Sequence, residues 1–249
     1  MLFKKSMKDI KASFVLGCAI AIGMIVSVSI GSYSFIKVRA YDDSLSVTGS
    51  AKKAVVADSA KWTPAFTRTV KESSLKDGYA KVAQDLELVK AFLVAQGFNE
   101  SEMTVSAPTM DQVWDYKNDG LEHETKYTVR QSVEVVSADV NKIARATKNV
   151  AVLADKGVLL NSAMPEYYYT KLPDLRVSLI SDAVKDAKAR AEQIALSGER
   201  QVGSLKSAAS GVVQVLPANS IDVSDYGMYD TSSINKEVMV TVRAAFSIK

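Results

Sequence analysis

A chain of 249 residues that is 47% hydrophobic, with only 12 Gly and 5 Pro, has the composition of a folded protein and excludes a disordered or collagen-like one. Its formal charge of +3 is carried by the first eleven residues, and the part after residue 36 holds 27 Lys and Arg against 27 Asp and Glu, which excludes the basic footprint of a nucleic-acid-binding domain. The single cysteine, Cys18, excludes a disulfide framework and a thiolate zinc site in everything that follows it.

Residues 1–11 form a basic tail, with Lys4, Lys5, Lys8 and Lys11 against Asp9. Residues 12–36 follow as a run without a charged side chain, bracketed by Lys11 and Lys37. As a helix this run rises about 38 Å, enough to cross a hydrocarbon core of about 30 Å. The more basic flank stays in the cytoplasm, so the run predicts a single-pass anchor in the inner membrane with the C-terminal part in the periplasm or exterior. The alternative is a cleaved secretory signal, with small residues such as Ser27 and Ser29 before the cut and a soluble periplasmic product. Lipid attachment at Cys18 is disfavoured, because most of the apolar run follows that residue.

After a polar link at 37–43, residues 45–51 alternate apolar and polar side chains as a strand. A second strand puts Ala60, Trp62, Pro64, Phe66, Arg68 and Val70 on one face, and Pro64 places it at an edge or bulge. Ser74-Leu75-Lys76-Asp77 has capping-box spacing and opens a helix with Leu75, Tyr79, Val82, Leu86, Val89 and Leu93 on its apolar face, ended by Gly97. A strand over about 103–116, a turn at Asn118-Asp119-Gly120 and a long strand over 123–136 follow.

A second helix covers about 139–155, with Val140, Ile143, Thr147 and Val150 inward and Gly157 past its end, and a strand passes through 158–169. The third helix starts near Pro173-Asp174 and runs to Ser197 before Gly198, with Val177, Ile180, Val184, Ala187, Ala191 and Ile194 as its stripe. Strands near 202–215 and 237–248 close the chain. The fold class is α+β: an N-terminal transmembrane helix, then an antiparallel or mixed sheet with about three amphipathic helices packed on it, residues 44–249 forming one domain.

Three sequence blocks resemble the SIMPL-domain family: Ser46-Val47-Thr48-Gly49-Ser50-Ala51, the stretch from Ala187 to Ala195 with Gly198 and Val202-Gly203 after it, and Glu237-Val238-Met239-Val240-Thr241-Val242. The resemblance implies an exported, periplasmic or membrane-anchored bacterial protein without established catalytic residues. It also implies links to stress defence and, for some members, assembly into large homo-oligomers.

The residues supply little chemistry of their own. His123, beside Glu122 and Glu124, is the only histidine and has no nucleophile motif to pair with. No metal or nucleotide motif occurs, so no catalytic residue, cofactor or metal ligand is assigned. The acids of the loop Asp222 to Asp230 lack calcium-loop spacing, and its Tyr226 and Tyr229 offer contact area instead. Tyr167, Tyr168, Tyr169 and Arg176 form the other candidate interaction surface, because successive strand residues face opposite sides and at least one tyrosine then points outward. The expected partners are the membrane and further copies of the chain, with any small ligand unknown and an enzyme or binding module at this surface as the alternative.

Overall fold

The uncharged run becomes part of one continuous helix, α1 (Met7–Ala40). Within it Ser13–Lys37 is long and apolar enough to cross a membrane, with a mean hydropathy of 2.4 and none of it buried. The computed structural model describes residues 7–40, 44–114, 124–162, 164–220 and 226–249. The Asn118-Asp119-Gly120 turn, His123 and the acids at 222 and 225 lie outside the described residues.

The chain divides into two units, one of residues 1–49, 184–210 and 242–249, the other of residues 50–183 and 211–241. Four long elements contribute residues to both: β1 (Ser44–Val56), α5 (Leu172–Ser197), β9 (Val202–Pro217) and β10 (Asn235–Ile248). The three strands pair in the order β1-β10-β9. In the first unit Val47, Ala187, Ala191, Ala244 and Phe246 form a small core flanked by Leu45 and Val202.

The second unit holds the larger core and a second sheet, built from β2 (Ser59–Trp62), β3 (Pro64–Lys71), β4 (Met103–Val105), β5 (Thr109–Val113), β6 (Lys126–Ser137), β7 (Leu160–Ser162) and β8 (Glu166–Tyr168). Helices α2 (Leu75–Ala95), α3 (Val140–Lys148) and α4 (Ala151–Asp155) connect them. Seven strands reduce to four ribbons. β2 and β3 hold one register against β6, with Ala60 opposite Ser137 and Ala65 opposite Ser132, interrupted at Thr63 and Pro64. β4 and β5 pair with the other side of β6, stepping by one residue across Pro108. β7 and β8 pair with β3 and β2 and step by one across Pro165. The ribbons, numbered along the chain, lie in the order four, one, three, two, all antiparallel, with one helical connection after the first and another after the third. That is the β-α-β-β-α-β arrangement of ferredoxin-like folds.

The helix-facing side of this sheet supplies Ala60, Trp62, Phe66, Val129, Val133 and Val135, which meet Val82, Val89, Phe92 and Leu93 of α2 and Ile143 and Leu153 of α3 and α4 in one buried cluster. Asp85 lies on the same stripe of α2 and is 2% exposed. Its two carboxylate oxygens accept from Nε and Nη2 of Arg68, both at 2.6 Å, and the same Nη2 donates to the Gly157 carbonyl at 2.8 Å. This fork ties α2 to β3 and to the turn after α4. The Asp85 carboxylate raises the Arg68 pKa, against the opposing effect of burial.

Several local expectations change. Pro64 does not mark an edge, since its ribbon is interior; it sits at the break in pairing with β6, beside the one-residue step by which β7 and β8 shift against its own ribbon. Ser74 makes no side-chain cap, because a turn of 3-10 helix over Glu72–Ser74 leads into α2 instead. The expected 139–155 helix is two, α3 and α4, with Asp139 capping the first through the Lys142 amide. Tyr79 of the expected α2 stripe is 40% exposed.

On α5 the buried row is Leu175, Leu179, Ala183, Ala187, Ala191 and Ala195, while Val177 is 71% and Ile194 52% exposed. Steps of four advance about 40° beyond a full turn, so this row winds about 200° around the helix. Ala187 and Ala191 of the expected stripe lie on this row, while the strongly apolar Val and Ile side chains drew the rest of the stripe off it. Helix ends also differ in detail: Gly97 and Gly157 take φ of 88° and 78°, but after α5 the left-handed residue is Glu199 at 55°, one beyond the expected Gly198. In all three the next amide reaches back to the helix, as in Arg200 N to Ala195 O at 2.8 Å.

Candidate interaction surface

The strand alternation that separates the three consecutive tyrosines is realised on β8. Tyr167 points to the helix side and is 6% exposed, and burial raises its phenol pKa. Its amide donates to the Thr231 carbonyl at 2.7 Å, so a segment after the acidic loop closes the outer edge of β8. Tyr168 takes the opposite face, where its hydroxyl donates to Glu166 Oε2 at 2.7 Å. Lys61 on neighbouring β2 pairs with the same oxygen at 2.9 Å. The Lys61 bond and then the Tyr168 bond hold the Glu166 carboxyl below the usual range, and Glu166 in turn raises both Lys61 and the Tyr168 phenol.

The second tyrosine group comes to the first. The Tyr168 and Tyr229 rings lie 6.2 Å apart and inclined by 35°, within the range of a favourable aromatic pair. The Tyr169 amide donates to the Tyr229 hydroxyl at 3.0 Å, and Asp58 accepts from the Thr170 amide at 2.7 Å and its hydroxyl at 3.0 Å. Gly227 reaches this position with φ of 84°, where a β-carbon would come within 3.4 Å of the Val213 carbonyl and 3.5 Å of Val212, a turn that strains any side chain. Tyr226 beside it is 97% exposed, with Met228 at 40% and Tyr229 at 41%.

Beneath the loop lies a pair that sequence reasoning did not single out. Lys236 is fully buried and donates to the Asp230 carbonyl at 2.6 Å and to its Oδ2 at 3.1 Å. Asp230 also accepts from the amides and hydroxyls of Ser232 and Ser233. Burial alone would raise its pKa, yet the bonds from Ser232 and Ser233, with Lys236, drive it far below the ordinary carboxylate range. The signal was present: Lys236 begins the alternation Lys236, Val238, Val240, Val242, Ala244 that forms the buried face of β10. Asp230 is therefore spent on structure and is not a free calcium oxygen.

Of the residues singled out, Tyr168, Tyr169 and Tyr229 come together, Tyr167 is buried behind them, and Tyr226 projects from the same loop. Arg176, exposed on the second turn of α5, has no hydrogen bond or ion pair with the tyrosines among the described residues. The depressions found on the second unit are lined by other side chains, such as Val150 to Asn161 and Ser106 to Ser132. Among the described residues no group of three His, Cys, Asp or Glu is placed to hold a metal. The surface offers aromatic area fixed by hydrogen bonds.

The SIMPL family, described as a protein of unknown function (DUF541), matches residues 45–246. The chain belongs to the SIMPL family. Comparison with curated proteins gives no match. The SIMPL match begins at Leu45, next to the start of β1, and reaches Phe246 in β10, so the family's span takes in all the strands and leaves α1 outside.

Proposed function

We propose that this SIMPL protein is a non-catalytic envelope component, tethered by α1 with its folded part on the periplasmic side, that works by self-association. The observation that carries the tether is the bare apolar surface of Ser13–Lys37, none of which is covered by the rest of the chain. Lipid is the medium in which such a helix, with all its backbone bonds internal, is at lowest free energy. The four lysines before it set the direction. The tyrosine surface is the face offered to another protein molecule: its rings are held by fixed hydrogen bonds, and the depressions described on the same unit lie elsewhere, which favours a contact patch over a ligand cleft. Envelope stress defence, implied by the family resemblance, is the setting we propose for such an assembly.

The test is a protease applied to spheroplasts that carry a tag after Lys249. Digestion of the tag, together with an intact N-terminus by mass and resistance to carbonate extraction, is the expected result. A protected tag refutes the orientation. Release as a soluble product cut after residues 27–29 refutes the tether while leaving export in place. For assembly, light scattering of the detergent-solubilised full chain should give a mass of several protomers, and a strict monomer refutes that half.

A further inference from the structure

The start of β1 decides which end of the first unit lies nearest the anchor. Ala40, the last residue of α1, and Ser44, the first of β1, are four residues apart, a reach of at most about 14 Å. β1 and β10 run antiparallel: Arg243 Nε donates to the Ser46 hydroxyl at 3.3 Å, and Lys52 pairs with Glu237 at 3.2 Å. On that register Ser44 stands about level with Ala245, so Lys249 reaches roughly 13 Å past the start of β1. Gln201 exchanges backbone bonds with Lys249 at 3.0 and 2.9 Å, and the Arg200 amide donates to the Ala195 carbonyl at the end of α5. The last turn of α5, the residues after it and Lys249 are therefore gathered at the anchored end of the unit.

This end is amphipathic. Leu196 is 70% and Ile194 52% exposed, on either side of the buried Ala195. A groove of about 300 Å³ joins Leu196 to Arg200, Gln201 and Val202. Arg200 and Lys249 are exposed and have no ion pair among the described residues. The nearby acids are Glu199, in the turn itself, and Glu192, which pairs with Lys188 at 3.7 Å. One exposed aliphatic residue is ordinary, but two in a single turn beside unpaired cations have the chemistry of an interfacial lipid contact. The anchor marks the same level: Lys37 closes its apolar span, and the Lys37 ammonium lies 5.2 Å over the Tyr33 ring, an aromatic and basic pair of the kind found where a helix leaves the bilayer.

We propose that the end of α5 rests on the bilayer that α1 crosses, with Ile194 and Leu196 entering the headgroup layer and Arg200 and Lys249 meeting lipid phosphates. This rests on the tether proposed above and gives the folded part a second, reversible contact with the same membrane. The tether makes so small a patch sufficient, because the surface is always within reach and no encounter from solution is needed.

The experiment reconstitutes the full chain, with Cys18→Ser as background, into vesicles of phosphatidylethanolamine and phosphatidylglycerol, and places a polarity-sensitive fluorophore on either Leu196→Cys or Ala209→Cys. Both positions are exposed, so neither substitution disturbs a core, and Ala209 lies about 26 Å along β9 from Gln201. The label at position 196 should emit at shorter wavelength and be quenched by lipids that carry a nitroxide near the headgroup, and the label at position 209 should do neither. Arg200→Ala together with Lys249→Ala should lower the ratio of docked to undocked label by roughly tenfold or more. Protein that floats with the vesicles but leaves the label at position 196 in water, quenches both labels alike, or is indifferent to the loss of both cations overturns the docking and leaves the tether standing. Protein that does not float with the vesicles overturns both.

Discussion

Removing Arg68 should cost more than removing any surface cation of this protein. Asp85 has a side chain only 3% exposed and Arg68 one that is 24% exposed, and the fork between them is the charge-assisted, bidentate kind. Arg68→Ala strands a carboxylate in the α2 interface, with an expected loss of about 3–5 kcal/mol. That is a large share of a net folding stability of about 5–15 kcal/mol. Asp85→Ala leaves a guanidinium that can still reach water and the Gly157 carbonyl, so its loss should be smaller, about 2–3 kcal/mol. Exchanging both together, Arg68→Met with Asp85→Leu, should return to within about 1–2 kcal/mol of the native chain, because two buried charges and their desolvation disappear at once. The assay is urea unfolding of the full chain in detergent, followed by the fluorescence of Trp62, which is 1% exposed in the same core. Single losses below about 1 kcal/mol that simply add in the double variant would show a hydrated surface pair and refute the reasoning.

Glu102 gives a pH signature. Burial would raise its carboxyl pKa, but bonds from Lys142, Ser137 and the Asn99 amide prevail and lower it to about 2. A depressed carboxyl stabilises above its unfolded value and loses that contribution as pH falls through the folded one, so stability should drop by about 2 kcal/mol between pH 4.5 and 2, and Glu102→Gln should flatten that segment in urea titrations. Glu199→Gly should raise stability by about 0.5–1 kcal/mol, since only the native residue is strained by φ of 55°, and a loss in thermal unfolding contradicts it. Ile25→Arg at the middle of α1 adds about 2.5–3.5 kcal/mol to insertion and should shift the protein into the carbonate-soluble fraction.

What the sequence revealed depended on whether burial and hydrophobicity coincide. They coincide in Ser13–Lys37, in Trp62, Phe66, Val133 and Val135, and in the helix stop at Gly97, and those features are legible from residues alone. They part company on α5, where alanines are buried and Val177 is not. They part again at Asp85 and Lys236, where a charge occupies an apolar stripe because a partner far along the chain neutralises it. The meeting of Tyr168 with Tyr229 was hidden for the same reason, since it depends on a loop sixty residues away closing the edge of β8. Two tyrosine groups could be named; their juxtaposition could not.

Every ribbon of the four-ribbon sheet except β6 is broken near a proline, at Pro64, Pro108 or Pro165. β6 alone runs through without interruption and is paired on both sides. Deuterium uptake should therefore be slowest there: amides such as those of Val129 and Val135 can open only when neighbours on both flanks let go, while half-ribbons such as β7 fray one at a time. Cellular proteases acting on transiently open chain would find their first cuts at the proline joints and their last in β6.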